Sequence, residues 1–224
     1  MTRPYDIITF DCYGTLIDWD KGIVGAFLQS AAADGVTLDR NAVLHVYEEI
    51  ERSAEAQPFQ SYRSILTETA KRVAARLNWA LPEYRAAFLA ESLPDWQPFA
   101  DTNPALERLA AAGYQLGILS NVDDDLLAGT RRHLHATFDL LITAQQVGSY
   151  KPAPGHFQAA RRQIGDRRWL HAAQSYFHDI VPAQSLGIET AWINRDGEAP
   201  SGTARPEHEF PTVEALAQWL VPLT

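Results

Sequence analysis

Tyr5-Asp-Ile-Ile-Thr-Phe10-Asp11-Cys-Tyr-Gly14-Thr15-Leu-Ile-Asp18 is the stretch on which the reading of the fold turns. Residues 5–10 are short, β-branched and largely apolar, which predicts a strand. The run breaks at Asp11-Cys-Tyr-Gly14, where glycine permits a sharp turn. Beyond it the texture changes. Apolar residues recur at spacings of three and four, predicting helices over about 21–33, 39–55, 61–78 and 82–92. Gly35, Pro58 and the Leu81-Pro82 step separate them. After Pro98 the pattern alternates. Asn103-Pro104 opens a helix that Gly113 stops. Strands are predicted at 114–119, 138–143, 169–173 and 189–193, with helices at 123–134, 154–164 and 182–186 and a last one capped by Thr212. Residues 196–209, rich in Gly, Pro and charge, read as a loop. Such alternation makes a doubly wound parallel α/β sheet with helices on both faces. The expected organisation is a core of residues 1–18 and 96–224, with an inserted helical domain at 19–95.

Composition narrows the function classes. The 224 residues are 46% hydrophobic and 21% charged, values of a folded globular chain. A formal net charge of −9 without a basic patch argues against nucleic acid or an anionic membrane as partner, while a few local cations suffice for a small anion. Cys12 is the single cysteine, which excludes an internal disulfide and any multi-cysteine metal site. No secretory leader and no apolar run of membrane length is read in the sequence, so a cytoplasmic protein is expected. A homodimer is left open.

In a doubly wound sheet, ligands bind at the carboxyl ends of the strands. Four polar clusters follow predicted strands: Asp11 to Thr15, Ser120-Asn121, Tyr150-Lys151-Pro152, and Ser175 to Asp179. Any one of them alone is more often a helix cap or turn former. Together they bring two aspartates, hydroxyls, an amide and a lysine to one rim. Cys12 reads as a small buried residue, and most of the six tryptophans as core. His178, beside Asp179, reads as a cap or supporting group. Asp123-Asp-Asp125 favours the positive end of its own helix. His133 and His135, two apart, cannot share a helical face.

On these residues the chain resembles the haloacid dehalogenase superfamily: Phe10-Asp-Cys-Tyr-Gly-Thr-Leu-Ile-Asp18, Leu119-Ser-Asn121, Tyr150-Lys-Pro152 and the segment ending at Asp179 look like its four motifs. The resemblance implies a Rossmann-like core with a helical cap. It also implies Asp11 as a nucleophile forming a covalent ester. Lys151 would hold Asp11 ionised, and Ser175 and Asp179 would orient Lys151 and a hydrolytic water. Thr15, Ser120 and Asn121 would hold the carboxylate of a small-molecule substrate, with Tyr13 and Trp19 lining its pocket. No cofactor is required on this reading. Magnesium, were it bound, would fall to Asp11, Tyr13 and Asp179.

Phosphatases of the superfamily carry a second aspartate where this chain has Tyr13. With a reference pKa near 10, tyrosine is a poor base at neutral pH, and losing a matched acid–base group costs roughly 10²–10⁴ in rate. A halide leaving group needs no proton. The acid expected four residues before Asp179 in a magnesium phosphatase is Ser175 here. The branch of 2-haloacid dehalogenases is therefore favoured, with a magnesium phosphatase and a non-catalytic carboxylate binder as alternatives. Residues 10–19, 142–152 and 175–183 are also similar to azetidine-2-carboxylate hydrolases, implying ring opening as a further alternative. Two departures stand against the dehalogenase pattern. Val43–Ile50 holds no arginine for the halide, although Arg40, Arg52 and Arg63 lie nearby, and Tyr176 replaces the asparagine of motif four. Lys151→Met is expected to move the acid limb of the pH–rate profile upward with folding stability nearly unchanged.

Overall fold

The Ile-Ile-Thr-Phe run forms strand β1 (Ile7–Phe10) in the computed structural model, which describes residues 3–55 and 57–222, and all four residues are buried. A parallel strand covered on both faces requires such a continuous run rather than alternation. β2 (Gln115–Ser120), β3 (Leu140–Thr143), β4 (Trp169–Ala173), β5 (Glu189–Ile193) and β6 (His208–Phe210) complete a six-stranded sheet in the order β3-β2-β1-β4-β5-β6. Every pairing is parallel. Strand order reverses at β1, which pairs with β2 on one side and β4 on the other. The carboxyl ends of these three strands therefore open side by side at the switch point, where open α/β sheets place their ligands.

α1 (Trp19–Ala33), α2 (Arg40–Glu55), α3 (Tyr62–Arg76) and α4 (Phe88–Ser92) follow motif one. α5 (Thr102–Ala111) comes before β2, and α6 (Asp124–Thr130) after it. The chain divides into two compact units. The sheet unit runs to Asp18, covers Pro98–Asn121 and resumes at Arg132; the helical unit takes Trp19–Gln97 and Val122–Arg131.

In the helical unit Phe27 meets Tyr47, Trp79 and Phe88 edge to face, with ring centroids 5.1–6.5 Å apart. Residues 122–131, expected with the sheet, pack here instead. Asp123 accepts hydrogen bonds from the first two amides of α3, Tyr62 N at 2.9 Å and Arg63 N at 2.8 Å. Gly129 lies against Pro94, where a Cβ would come within 2.6 Å of the proline ring. Asp123 caps a helix 60 residues away in sequence and makes no side-chain cap bond to its own.

α7 (Ala144–Val147), α8 (Gly155–Ile164), α9 (Val181–Ser185) and α10 (Val213–Leu220) cover the sheet. Ile7, Leu119, Ile142, Phe157, Ile164 and Trp169 belong to one buried cluster there. Two expectations change. The loop at 196–209 ends in β6, a short edge strand whose His-Glu-Phe sequence lacks an apolar run. The helix over 82–92 is a 3₁₀ turn at Glu83–Arg85 followed by the five-residue α4. Tyr176–Ile180, read from sequence only as part of a polar cluster after β4, is a π turn leading into α9. Among the described residues no helix is long and apolar enough to cross a membrane.

Candidate active site

Asp11 is the first residue past β1, and its amide still bonds Ala172 O at 3.1 Å, so the sheet fixes its backbone. The chain then folds back: Leu16 N and Ile17 N both donate to Cys12 O, and Gly14 N donates to Ile17 O. Gly14 sits at φ +88°, a conformation side-chain-bearing residues rarely adopt. This loop turns Thr15 back onto the aspartate. Its hydroxyl donates to Asp11 Oδ2 at 2.9 Å and accepts from Gln174 N at 2.9 Å.

Lys151 reaches the same point from the loop before α8. Its ammonium lies 2.8 Å from Asp11 Oδ1, 2.6 Å from Asp179 Oδ1 and 2.9 Å from Leu119 O. All three of its N–H donors are spent, and its side chain is 1% exposed. Asn121 holds the lysine backbone on both sides, accepting from Lys151 N at 2.7 Å and donating to Lys151 O at 3.1 Å. Asn121, expected on the substrate carboxylate, is thus engaged in placing Lys151.

Asp179 is delivered by the π turn. Oδ1 accepts from Lys151 and lies 2.9 Å from His171 Nε2. Oδ2 is buried and meets no donor among the described residues. Ser175, expected from sequence to orient Lys151 and the hydrolytic water, does not bond the ammonium, whose three donors go to Asp11, Asp179 and Leu119 O. Its Oγ accepts from His178 N at 3.1 Å and lies 3.0 Å from His178 Nδ1, capping the turn that carries Asp179. Ser120 Oγ is buried without a partner among the described residues. Tyr13 is partly exposed on the loop, bridged to Ile17. Trp19 belongs to the helical unit, where its ring meets Tyr47 edge-on at 5.4 Å. Of the nearby arginines, Arg40 is exposed, Arg63 pairs with Asp125, and the side chain of Arg52 lies outside the described residues.

One ammonium therefore serves two buried carboxylates, and they share it unequally. Burial pushes Asp11 above the ordinary carboxylate range, against the pull of Lys151, and the charge of Asp179 adds to the rise. Burial also disfavours the Asp179 anion, but Lys151 and the His171 bond outweigh it and hold the group below the ordinary carboxylate range. Lys151 stays protonated well above its usual range because its two carboxylates outweigh burial. Asp179 is thus the fixed anion, and Asp11 the more basic carboxylate.

The donor set does not make a magnesium cradle. Lys151 already joins Asp11 Oδ1 to Asp179 Oδ1, Thr15 takes Asp11 Oδ2, and only Asp179 Oδ2 faces no donor. Magnesium takes near-octahedral oxygen coordination. Among the described residues no group of three or more His, Cys, Asp or Glu is placed to hold a metal.

Sequence reading missed His171, Thr9 and His156. Trp169 Nε1 donates to Thr9 Oγ1 at 2.7 Å, Thr9 Oγ1 lies 2.8 Å from His171 Nδ1, and His156 Nε2 lies 3.0 Å from Ser120 O. Thr9 and His171 sit opposite each other in the β1–β4 register. The available signal was a histidine inside the otherwise apolar strand Trp169–Ala173.

The model of the haloacid dehalogenase-like hydrolase family matches residues 5–174. An (S)-2-haloacid dehalogenase of Pseudomonas putida is 27% identical over 222 residues, covering 96% of each chain. The (S)-2-haloacid dehalogenase 4A of Burkholderia cepacia is 27% identical over 90% of this chain and 85% of that one. Among solved structures, the L-2-haloacid dehalogenase of Xanthobacter autotrophicus superposes with a TM-score of 0.82 at 19% identity, over 98% of this chain and 100% of that one.

Proposed function

The chain belongs to the haloacid dehalogenase-like hydrolases, and from that premise we propose that it hydrolyses small 2-haloacids with Asp11 as the nucleophile. The Asp11–Lys151–Asp179 cluster, with Tyr13 where an acid–base aspartate would serve a phosphatase, is the observation that carries this reading. Asp11 attacks C2 of the acid, halide leaves with the bonding pair, and the carbon inverts. Water then adds to the Asp11 ester carbonyl, and the 2-hydroxy acid departs with the oxygen Asp11 had used. The net reaction consumes one water and releases halide and a proton. Because halide departs as a stable anion, no general acid is needed at Tyr13.

Electrostatics favours the first step. Two carboxylates and one ammonium give the resting cluster a net charge of −1. Esterification neutralises Asp11, so Asp179 and Lys151 remain as a balanced pair, and the repulsion that raises Asp11 is relieved. Asp179, held below the ordinary carboxylate range, is too weak a base to take a proton at neutral pH. Its part is to fix Lys151 and to accept a hydrogen bond from the hydrolytic water at Oδ2. Ser120 and Tyr13 are assigned to the substrate carboxylate, whereas Thr15, whose hydroxyl is spent on Asp11 Oδ2 and Gln174 N, holds the nucleophile.

A single turnover of 2-chloropropionate in ¹⁸O-labelled water, read by mass spectrometry of the Asp11 peptide, tests the reading. Label is expected in Asp11, with unlabelled 2-hydroxy acid and released chloride. Label confined to the product overturns the ester route. No turnover above an Asp11→Asn control, in a screen extended to cyclic imino acids and phosphate esters, overturns catalysis itself.

A further inference from the structure

From the chain of hydrogen bonds behind Asp179 we infer that His171 is a positioning residue, held by Thr9 and Trp169 as the neutral Nε2–H tautomer so that it anchors Asp179 without adding positive charge to the cluster. The inference deepens the proposed function and rests on it for its kinetic consequence, but its structural premise stands by itself.

Proton counting fixes the direction of the chain. Indole nitrogen can only donate, so Trp169 Nε1–H gives its hydrogen to Thr9 Oγ1. Among the described residues the threonine hydroxyl meets one further group, His171 Nδ1 at 2.8 Å. Its own hydrogen therefore goes to Nδ1, which must be bare. The ring proton is then on Nε2, pointing at Asp179 Oδ1 at 2.9 Å. Every hydrogen in the row has an acceptor. The opposite tautomer, and equally an imidazolium, would leave the buried threonine hydroxyl without an acceptor.

The charged surroundings make neutrality matter. His171 is fully buried. Facing it are Asp179 on the π turn, Thr9 on β1, and Phe157 on α8, whose ring centroid is 5.2 Å away. Lys151, Asp11, His156 and the Cys12 thiol complete the titratable groups around the cluster. A protonated His171 would bring the cluster to zero net charge and lower the basicity of Asp11. As a neutral donor it shares the task of holding Asp179, so that Lys151 remains divided between the two carboxylates. Without that donor, Lys151 is drawn toward Asp179 and Asp11 loses part of its stabilisation.

Two-bond ¹H–¹⁵N spectra of histidine-labelled protein between pH 6 and 8 read the tautomer, with His171 assigned by its absence from His171→Gln. A bare Nδ1 and protonated Nε2 are expected throughout. An imidazolium or an Nδ1–H tautomer overturns the inference whether or not any substrate is turned over. In kinetics on 2-chloropropionate, His171→Leu should move the acid limb of kcat/KM up by roughly half to one pH unit, about half of what a hydrogen bond to a charged group is worth, because the effect reaches Asp11 only through Lys151. His171→Gln, which keeps an N–H near the Nε2 position, should largely restore it. A wild-type profile in folded His171→Leu overturns the positioning role. Absence of haloacid turnover in the wild type removes the proposed function and leaves the spectra to decide the tautomer. If neither variant folds, Thr9→Val supplies the assignment, since the bare Nδ1 loses its donor there and its resonance must move; a His171 resonance unchanged in Thr9→Val overturns the inference.

Discussion

The two units of the chain spend their polar groups differently. At the carboxyl ends of β1, β2 and β4, charged groups drawn from positions 11, 151 and 179 are buried together and bonded across long stretches of sequence. In the helical unit the core is aromatic, with Phe27 at its centre, and several ion pairs lie at the surface, such as Arg63–Asp125 and Arg76–Glu49. Buried charge is costly unless fully partnered, whereas surface pairs contribute little. Chemistry and stability are therefore entangled in the sheet unit and separable in the helical one.

The sharpest way to break that contrast is Lys151→Met. It leaves two buried carboxylates with no counter-charge, and breaking a buried pair in this way costs on the order of 3–5 kcal/mol. The sequence alone had suggested a nearly unchanged stability, because nothing in Tyr150-Lys-Pro152 reveals that the ammonium is enclosed by three acceptors. The sign with pH is distinctive. In the variant both carboxyls have folded pKa values above their unfolded ones, so the fold is least harmed at acid pH and weakens as pH rises through those values. The acid limb of activity moves upward in the same variant. Urea unfolding at pH 4 and pH 8 measures the first effect. A variant equally stable relative to wild type at both would show that Lys151 does not compensate this charge.

How far the sequence carried the reading depends on the kind of bond. Asp11, Thr15, Lys151 and Asp179 were legible because each ends a strand or follows it in a polar cluster, and strand ends converge at the switch point of a parallel sheet. Thr9 and His171 were not, since they sit in mid-strand and only the register of β1 against β4 brings them together. Ser175 was given the wrong neighbour because a π turn, invisible to a pattern of spacings, aims its hydroxyl at His178. Asn121 was assigned to substrate because its partner, the backbone of residue 151, has no sequence signature.

His156 offers an intermediate effect, again confined to the sheet unit. Burial holds this histidine at about 3, against an ordinary value of 6.5. The unfolded chain therefore binds a proton between those values that the folded chain does not. Stability should fall as pH drops from about 6.5 toward 3, by up to about 1.4 kcal/mol per pH unit from this group. His156→Gln keeps a donor toward Ser120 O and cannot titrate. The difference in unfolding free energy between wild type and variant, followed from pH 7 to pH 4.5, should carry that slope. Parallel curves would mean that the histidine does not titrate on unfolding in this range.

The smallest effect separates two carboxylates that stand two residues apart. Asp123 is 4% exposed and accepts from the amides of Tyr62 and Arg63, whereas Asp125 is exposed and among the described residues pairs with the Arg63 guanidinium. A side-chain cap on amides that helix geometry leaves unpaired is worth roughly 0.5–2 kcal/mol, and a surface ion pair roughly 0–1. Asp123→Ala should therefore destabilise the protein by roughly 1–2 kcal/mol, and Asp125→Ala by under about 0.5. Salt provides the discriminating measurement. Raising ionic strength from about 0.01 to about 0.5 M shortens the screening length from about 30 Å to a few ångströms. It should erase the Asp125→Ala effect and leave most of the Asp123→Ala effect, because two short hydrogen bonds to a buried carboxylate are little screened. Equal effects for the two substitutions, or equal sensitivity to salt, would show that the acidic run acts through its overall charge at the start of α6 rather than through the cap on α3.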